Sequence, residues 1–127
     1  MSSGDFDPDS LFRLLSMRQV DSASFDGAVV AAEGADLRCV FFWGNDCYNC
    51  NIFKATALMQ IEPIRGLDLS WFEANVYQDE ALGRRFGLHG VPAFVFYRSG
   101  KRLGRISGWP GLGQFSGAVE RLRAGLS

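Results

Sequence analysis

The sequence is poor in the residues that most site chemistries need. Among 127 residues it carries three cysteines, one histidine and four prolines. A disulfide-stapled secreted domain has a larger and even set of cysteines, so three speak against that class. An excess of charge is missing too. Thirteen basic and fourteen acidic residues leave a net charge of -1, which gives no support for nucleic acid as the main partner, because phosphate neutralisation requires a concentrated basic surface. No apolar run approaches the ~20 residues that cross a bilayer. The opening Met1 to Asp7 is small, polar and acidic, without the basic start and apolar run of a secretory signal. The sequence therefore predicts a cytoplasmic chain with neither nucleic acid nor membrane as partner, and nothing in it demands more than a monomer.

What is present is apolar and aromatic. Hydrophobic residues make up 47% of the chain and eleven are phenylalanine, enough for packed layers rather than disorder. The length suits a single domain over 1–127, with 1–8 a loose terminus. Asp9 or Ser10 is expected to cap a short helix to about Met17, with Leu11, Leu14 and Leu15 inward. Arg18 to Val20 reads as a short strand. Asp21 and Ser22 then cap a second helix carrying Phe25, Ala28, Val29 and Ala32, which Gly34 ends. Leu37 to Trp43 is nearly continuous apolar sequence, the pattern of a strand buried on both faces. A long helix is expected from Cys47 to Glu62, with Ile52, Phe53, Ala57, Leu58 and Ile61 on its apolar side, closed by Pro63 and Gly66. Leu67 to Val76 reads as a strand and Asp79 to Phe86 as a short helix. Ala93–Tyr97 and Arg102–Ile106 form a hairpin through Ser99 and Gly100. Leu112, Phe115, Val119 and Leu122 mark the inner face of a last helix. This order predicts an α/β fold, a central mixed sheet with helices on both faces.

The chemistry concentrates at Cys47-Tyr48-Asn49-Cys50, directly after the buried strand and at a helix start. The thiolate is the nucleophile in disulfide exchange. Unpaired N–H groups and the helix dipole stabilise an anion in the first turn. Cys47 at the tip is expected to attack, and Cys50, deeper in the helix, to resolve. The alternative is half of a zinc site. Beyond the pair the chain offers only Cys39, inside the apolar strand, and His89, so no metal is expected. Gly90-Val91-Pro92 precedes the hairpin. If the Val91–Pro92 bond is cis and abuts the cysteines, the Val91 backbone is placed to pair with an extended substrate segment. Tyr48 and Trp109 offer aromatic surface to such a segment, although Trp109 also suits closing the core.

Taken together, these residues resemble the thioredoxin family from about Val20 to Leu122. The resemblance rests on Phe42-Trp43, Cys47-x-x-Cys50, Val91-Pro92 at the family's cis-proline, Ser99-Gly100-Lys101 at the hairpin and Gly108 before the last helix. It implies a thioredoxin fold. The departures bear on role. The family's Trp-Cys-Gly-Pro-Cys is Asp46-Cys47-Tyr48-Asn49-Cys50 here, and Asp46 opposes a thiolate at Cys47. The buried aspartate six residues before the first cysteine corresponds to Phe41, and the lysine that faces it to Glu73. Glu73 is then expected to take over as proton acceptor for Cys50, directly or through water, unless it turns to solvent.

The resemblance implies a dithiol reductase of protein disulfides, with no bound cofactor. Its partners are disulfide-containing clients and, for recycling, an electron donor of the thioredoxin-reductase type. A disulfide oxidase or isomerase, or a non-catalytic binding or chaperone module, stands as the alternative.

Overall fold

The computed structural model describes residues 7–125; the expectation for a loose terminus falls mostly on residues 1–6, outside that range. Five strands form one sheet: β1 (Arg18–Gln19), β2 (Arg38–Trp43), β3 (Ser70–Asn75), β4 (Ala93–Arg98) and β5 (Lys101–Ser107). Their spatial order is β1-β3-β2-β4-β5. The first three run parallel, while β4 is antiparallel to β2 and β5 to β4. The helices are α1 (Ser10–Leu14), α2 (Tyr48–Met59), α3 (Ile61–Arg65), α4 (Glu80–Arg85) and α5 (Leu112–Ala124).

β2 is central and covered on both sides, which is why its sequence does not alternate. Its odd positions, Cys39 and Phe41, join a core with Leu11, Cys50, Phe53, Ile64, Phe94 and Phe115, under α1, α2, α3 and α5. Its even positions, Val40 and Phe42, join the opposite core with Phe25, Val29, Phe72, Leu82 and Phe86, under α4 and the turn at Asp26–Val30. The mixed sheet with helical layers on both faces is as the sequence predicts.

Several local expectations are corrected. The helix expected from Cys47 to Glu62 breaks at Gln60, whose φ of -121° leaves the helical region. Pro63 does not close it. It sits in the first turn of α3, where its missing N–H forfeits no helical bond. The helix expected after Asp21 is a turn followed by π-helical Asp26–Val30, with Ala31 N–H bonding the Asp26 carbonyl. Asp21 holds only the preceding turn, accepting from Ala23 and Ser24 N–H, the helical segment has no side-chain cap, and Ser22 is diverted to the Asp79 carboxylate. Asp9 caps nothing by its side chain, which is committed to Lys54. α1 ends at Leu14, short of Met17, and Leu14 is exposed. Ile52 is likewise exposed rather than inward.

One carboxylate ties a loop to the sheet and a second ties two loops together. Hydrogen bonds from Arg38 hold Asp36 down at about 2. The Ser22 hydroxyl holds Asp79, which also caps α4 through Leu82 N–H, below the ordinary aspartate range. Both are more acidic folded than unfolded. Each therefore stabilises above its unfolded value and loses that contribution as pH falls through the folded one. Thermal melting should decline as pH drops from about 4 to about 2. Asp36→Asn should flatten that decline, and an unchanged slope in the variant would contradict the assignment.

Candidate active site

Trp43 ends β2, and Gly44-Asn45-Asp46 turns the chain into α2. Two features make the turn possible. A Cβ on Gly44 would lie 2.6 Å from the Tyr77 ring, so only glycine lets that ring cover the loop. Asp46 adopts φ 54°, a left-handed conformation that aspartate tolerates better than most residues. Asn75 at the end of β3 braces the loop by donating to Asn45 Oδ1 at 2.6 Å.

Cys47 is the N-cap of α2, with its Sγ accepting the Cys50 N–H at 3.1 Å. A helix N-cap acceptor meets otherwise unpaired N–H donors and the positive end of the dipole, both of which favour an anion. Cys47 is half-buried and Cys50 fully buried. The two are joined as a disulfide with Cα atoms 5.2 Å apart. The accessible sulfur is thus the one at the helix tip.

The Val91–Pro92 peptide is cis. It brings the Val91 carbonyl oxygen within 3.5 Å of Cys47 Sγ. Gly108, at φ 83°, donates its N–H to the Pro92 carbonyl and fixes this loop from behind. Cys47, Val91 and Pro92 are therefore brought together, as the sequence suggests. Tyr48 stands 77% exposed beside them and is free to meet a partner. Trp109 closes the core as foreseen, its ring centre 4.7 Å from that of Phe53, and it also lines a cavity beside the cysteine loop.

Glu73 is 7% exposed, so it does not turn to solvent. It pairs with Phe41 in the β2–β3 register and accepts from Trp43 Nε1 at 2.7 Å. The structure joins it to the indole rather than to a cysteine.

Sequence reasoning missed the residue on the other side of that indole. Lys54 is 2% exposed, with Nζ 2.7 Å from Asp9 and 4.2 Å from the Trp43 ring centre. An ammonium over the ring face and a carboxylate on the ring N–H polarise the indole in the same sense. The signal was present: Cys50, Phe53, Lys54 and Ala57 share one face of α2, so a lysine stands in an apolar stripe. Cys39 is buried, and burial pushes its thiol well above the ordinary range, which makes it a poor nucleophile. Among the described residues no group of three or more His, Cys, Asp and Glu side chains is placed to hold a metal, and no helix is long and apolar enough to cross a membrane.

An accessible sulfur at a helix tip, a buried partner three residues on and a carbonyl facing the first of them make up the apparatus of thiol–disulfide exchange. No curated protein matches the chain. Among solved structures, the crystal structure of Chlamydomonas reinhardtii thioredoxin f2 superposes with a TM-score of 0.69 at 18% identity, covering 83% of this chain and 94% of that one. At that identity the likeness speaks for the fold. Residues 26–123 match the family model of a thioredoxin-like domain. With most of its length under that model, the chain belongs to the thioredoxin-like family.

Proposed function

We propose that the chain is a cytoplasmic dithiol reductase of protein disulfides. The observation that carries this reading is Cys47 Sγ at the N-cap of α2, receiving the Cys50 N–H and facing the Val91 carbonyl. In the reduced protein the Cys47 thiolate attacks a client sulfur and the client disulfide breaks. The departing client thiolate takes a proton. The Cys50 thiol gives up its proton and attacks Cys47 Sγ, releasing the second client thiol and leaving the Cys47–Cys50 disulfide. Tyr48, Val91 and Pro92 form the contact surface for the client segment, whose backbone lies along Val91. A flavin- and NADPH-dependent reductase, not bound here, returns the pair to the dithiol. The protein works as a monomer in this cycle.

Glu73 is the proton acceptor for Cys50 in this reading, supported by its burial beside Phe41, which shares a core with Cys50. Reduction of insulin disulfides at limiting dithiothreitol tests the cycle: the protein should accelerate it catalytically. Replacing Glu73→Gln should slow resolution of the mixed disulfide by roughly a hundredfold, the usual scale for a lost general base, and should change the pH profile of that step. Superimposable profiles in the two proteins would remove Glu73 from the mechanism while leaving the cysteines in it.

A further inference from the structure

Two cavities meet at the His89–Val91 loop, whose Val91 carbonyl faces Cys47. One, of about 680 Å³, is lined by Asn49, Ile52, His89, Val91, Arg105 and Trp109, among others. The other, of about 520 Å³, shares His89, Gly90 and Val91 and is bordered by Tyr77 and by Glu80 and Arg84. Their charges differ. Glu80 and Arg84 in the second cavity pair with each other at 3.7 Å. In the first, the ionisable side chains are His89 and Arg105, and no carboxylate lines it.

Arg105 is held at that wall. Its Nη1 donates to the Phe86 carbonyl at 2.6 Å and its Nη2 to the Gly87 carbonyl at 3.5 Å, both just past the end of α4. Neutral carbonyls fix a guanidinium without cancelling its charge. Among the described residues it has no carboxylate within ion-pair distance, whereas Arg84, Arg85, Arg38, Arg65 and Lys54 all do. Arg102, on the same strand, sets a second guanidinium over the Phe86 ring. Asp46, the carboxylate next to Cys47, is not part of the cavity wall.

A segment whose sulfur meets Cys47 passes the Val91 carbonyl, and Val91 borders both cavities. Residues flanking the reacting cysteine on one side therefore enter the cavity that holds Arg105. We infer that Arg105, with His89, makes this site select disulfides flanked by carboxylates: client segments with Asp or Glu beside the cysteine, or small anionic disulfides. The inference rests on the reductase reading above and names its substrate class. The exchange is unaltered: two electrons pass from the Cys47–Cys50 dithiol to the substrate disulfide, giving two substrate thiols and the protein disulfide. Arg105 acts on which disulfide is held, not on the bonds exchanged.

The test is the rate at which the dithiol protein reduces three small disulfides: anionic oxidised glutathione, neutral hydroxyethyl disulfide and cationic cystamine. Each rate is divided by that of the same disulfide with dithiothreitol, which removes intrinsic reactivity. The normalised anion-to-cation ratio should fall roughly tenfold in Arg105→Gln, the scale of one unscreened surface charge acting on substrates of opposite sign. Arg105→Lys, which keeps the charge, should retain most of the ratio. Raising salt to about 0.5 M should shrink the wild-type ratio toward that of Arg105→Gln. An Arg105→Gln ratio equal to wild type overturns the inference and leaves the reductase reading intact. If that variant fails to fold, a wild-type ratio indifferent to salt overturns it equally. Absence of reaction with hydroxyethyl disulfide defeats the reductase reading itself, and the inference with it.

Discussion

Cys50→Ser, reduced and mixed with a disulfide client, should accumulate a covalent adduct through Cys47 that only added thiol dissolves. Cys47→Ser should form none, and its insulin reduction should fall by roughly a thousandfold or more, to the rate set by dithiothreitol. The asymmetry follows from position. Cys47 Sγ is the half-buried N-cap acceptor, whereas Cys50 is fully buried in the core that holds Phe41 and Phe53 and is bonded to the neighbouring sulfur. A client disulfide therefore reaches Cys47 first. Non-reducing gel electrophoresis and mass spectrometry read the adduct directly. Equal trapping by both single variants would mean that the two sulfurs are equally accessible and would contradict the assignment of roles. Client binding that persists with both cysteines replaced by serine would favour a binding module.

Phe53→Ala should destabilise the fold by about 3 to 5 kcal/mol, the usual range for deleting a buried phenylalanine, and lower Tm by roughly 10 to 20 °C. Phe53 is fully buried on α2, three residues after Cys50. Its ring lies 4.8 Å from Phe41, 4.9 Å from Phe94 and 4.7 Å from Trp109, joining α2 to two strands and to the segment behind the cavity. Removing it leaves a void walled by aromatic rings, which cannot collapse without moving the sheet. Met59→Ala is the control. Met59 is 85% exposed near the end of the same helix, so its loss should stay within about 0.5 kcal/mol. Similar melting of the two variants would show that α2 is not anchored through Phe53. Because α2 carries both cysteines, the same packing that stabilises the fold also holds the dithiol against Val91.

Much of this was legible because it depends on local periodicity. The unbroken run at β2 marks a central strand, and a Cys-x-x-Cys after such a strand fixes which residue caps the next helix. Pro92 before a strand left the cis bond open, and the resemblance to the family pointed to it. The misreadings arise where long-range partners outbid local preference. Asp9 has the right chemistry for a helix cap, but a buried ammonium 45 residues away claims it. Ser22 is drawn in the same way to Asp79. Phe25 and Val29, four residues apart, fit a helical face, and the chain widens there into a π-turn that keeps both on the core.

Buried charges were the least legible part. Lys54 stands in the apolar stripe of α2, but the stripe does not show that Asp9 and the Trp43 ring surround it. Glu73 could be singled out only by comparison with the family's pattern, and its indole partner is not visible in the sequence at all. Arg105 looks like an ordinary hairpin arginine. Only the folded chain shows that two backbone carbonyls hold it at the wall of the cavity beside the cysteines.

The central claim, that Cys47 and Cys50 form a reversible pair poised for reduction, is tested most directly by its reduction potential, measured by equilibration against glutathione and dithiothreitol. A reductase requires a low value, near the about -270 mV of thioredoxins, and that is the value expected here. A value between about -180 and -120 mV would mark a disulfide isomerase or oxidase, and failure to find any reversible pair would contradict the account.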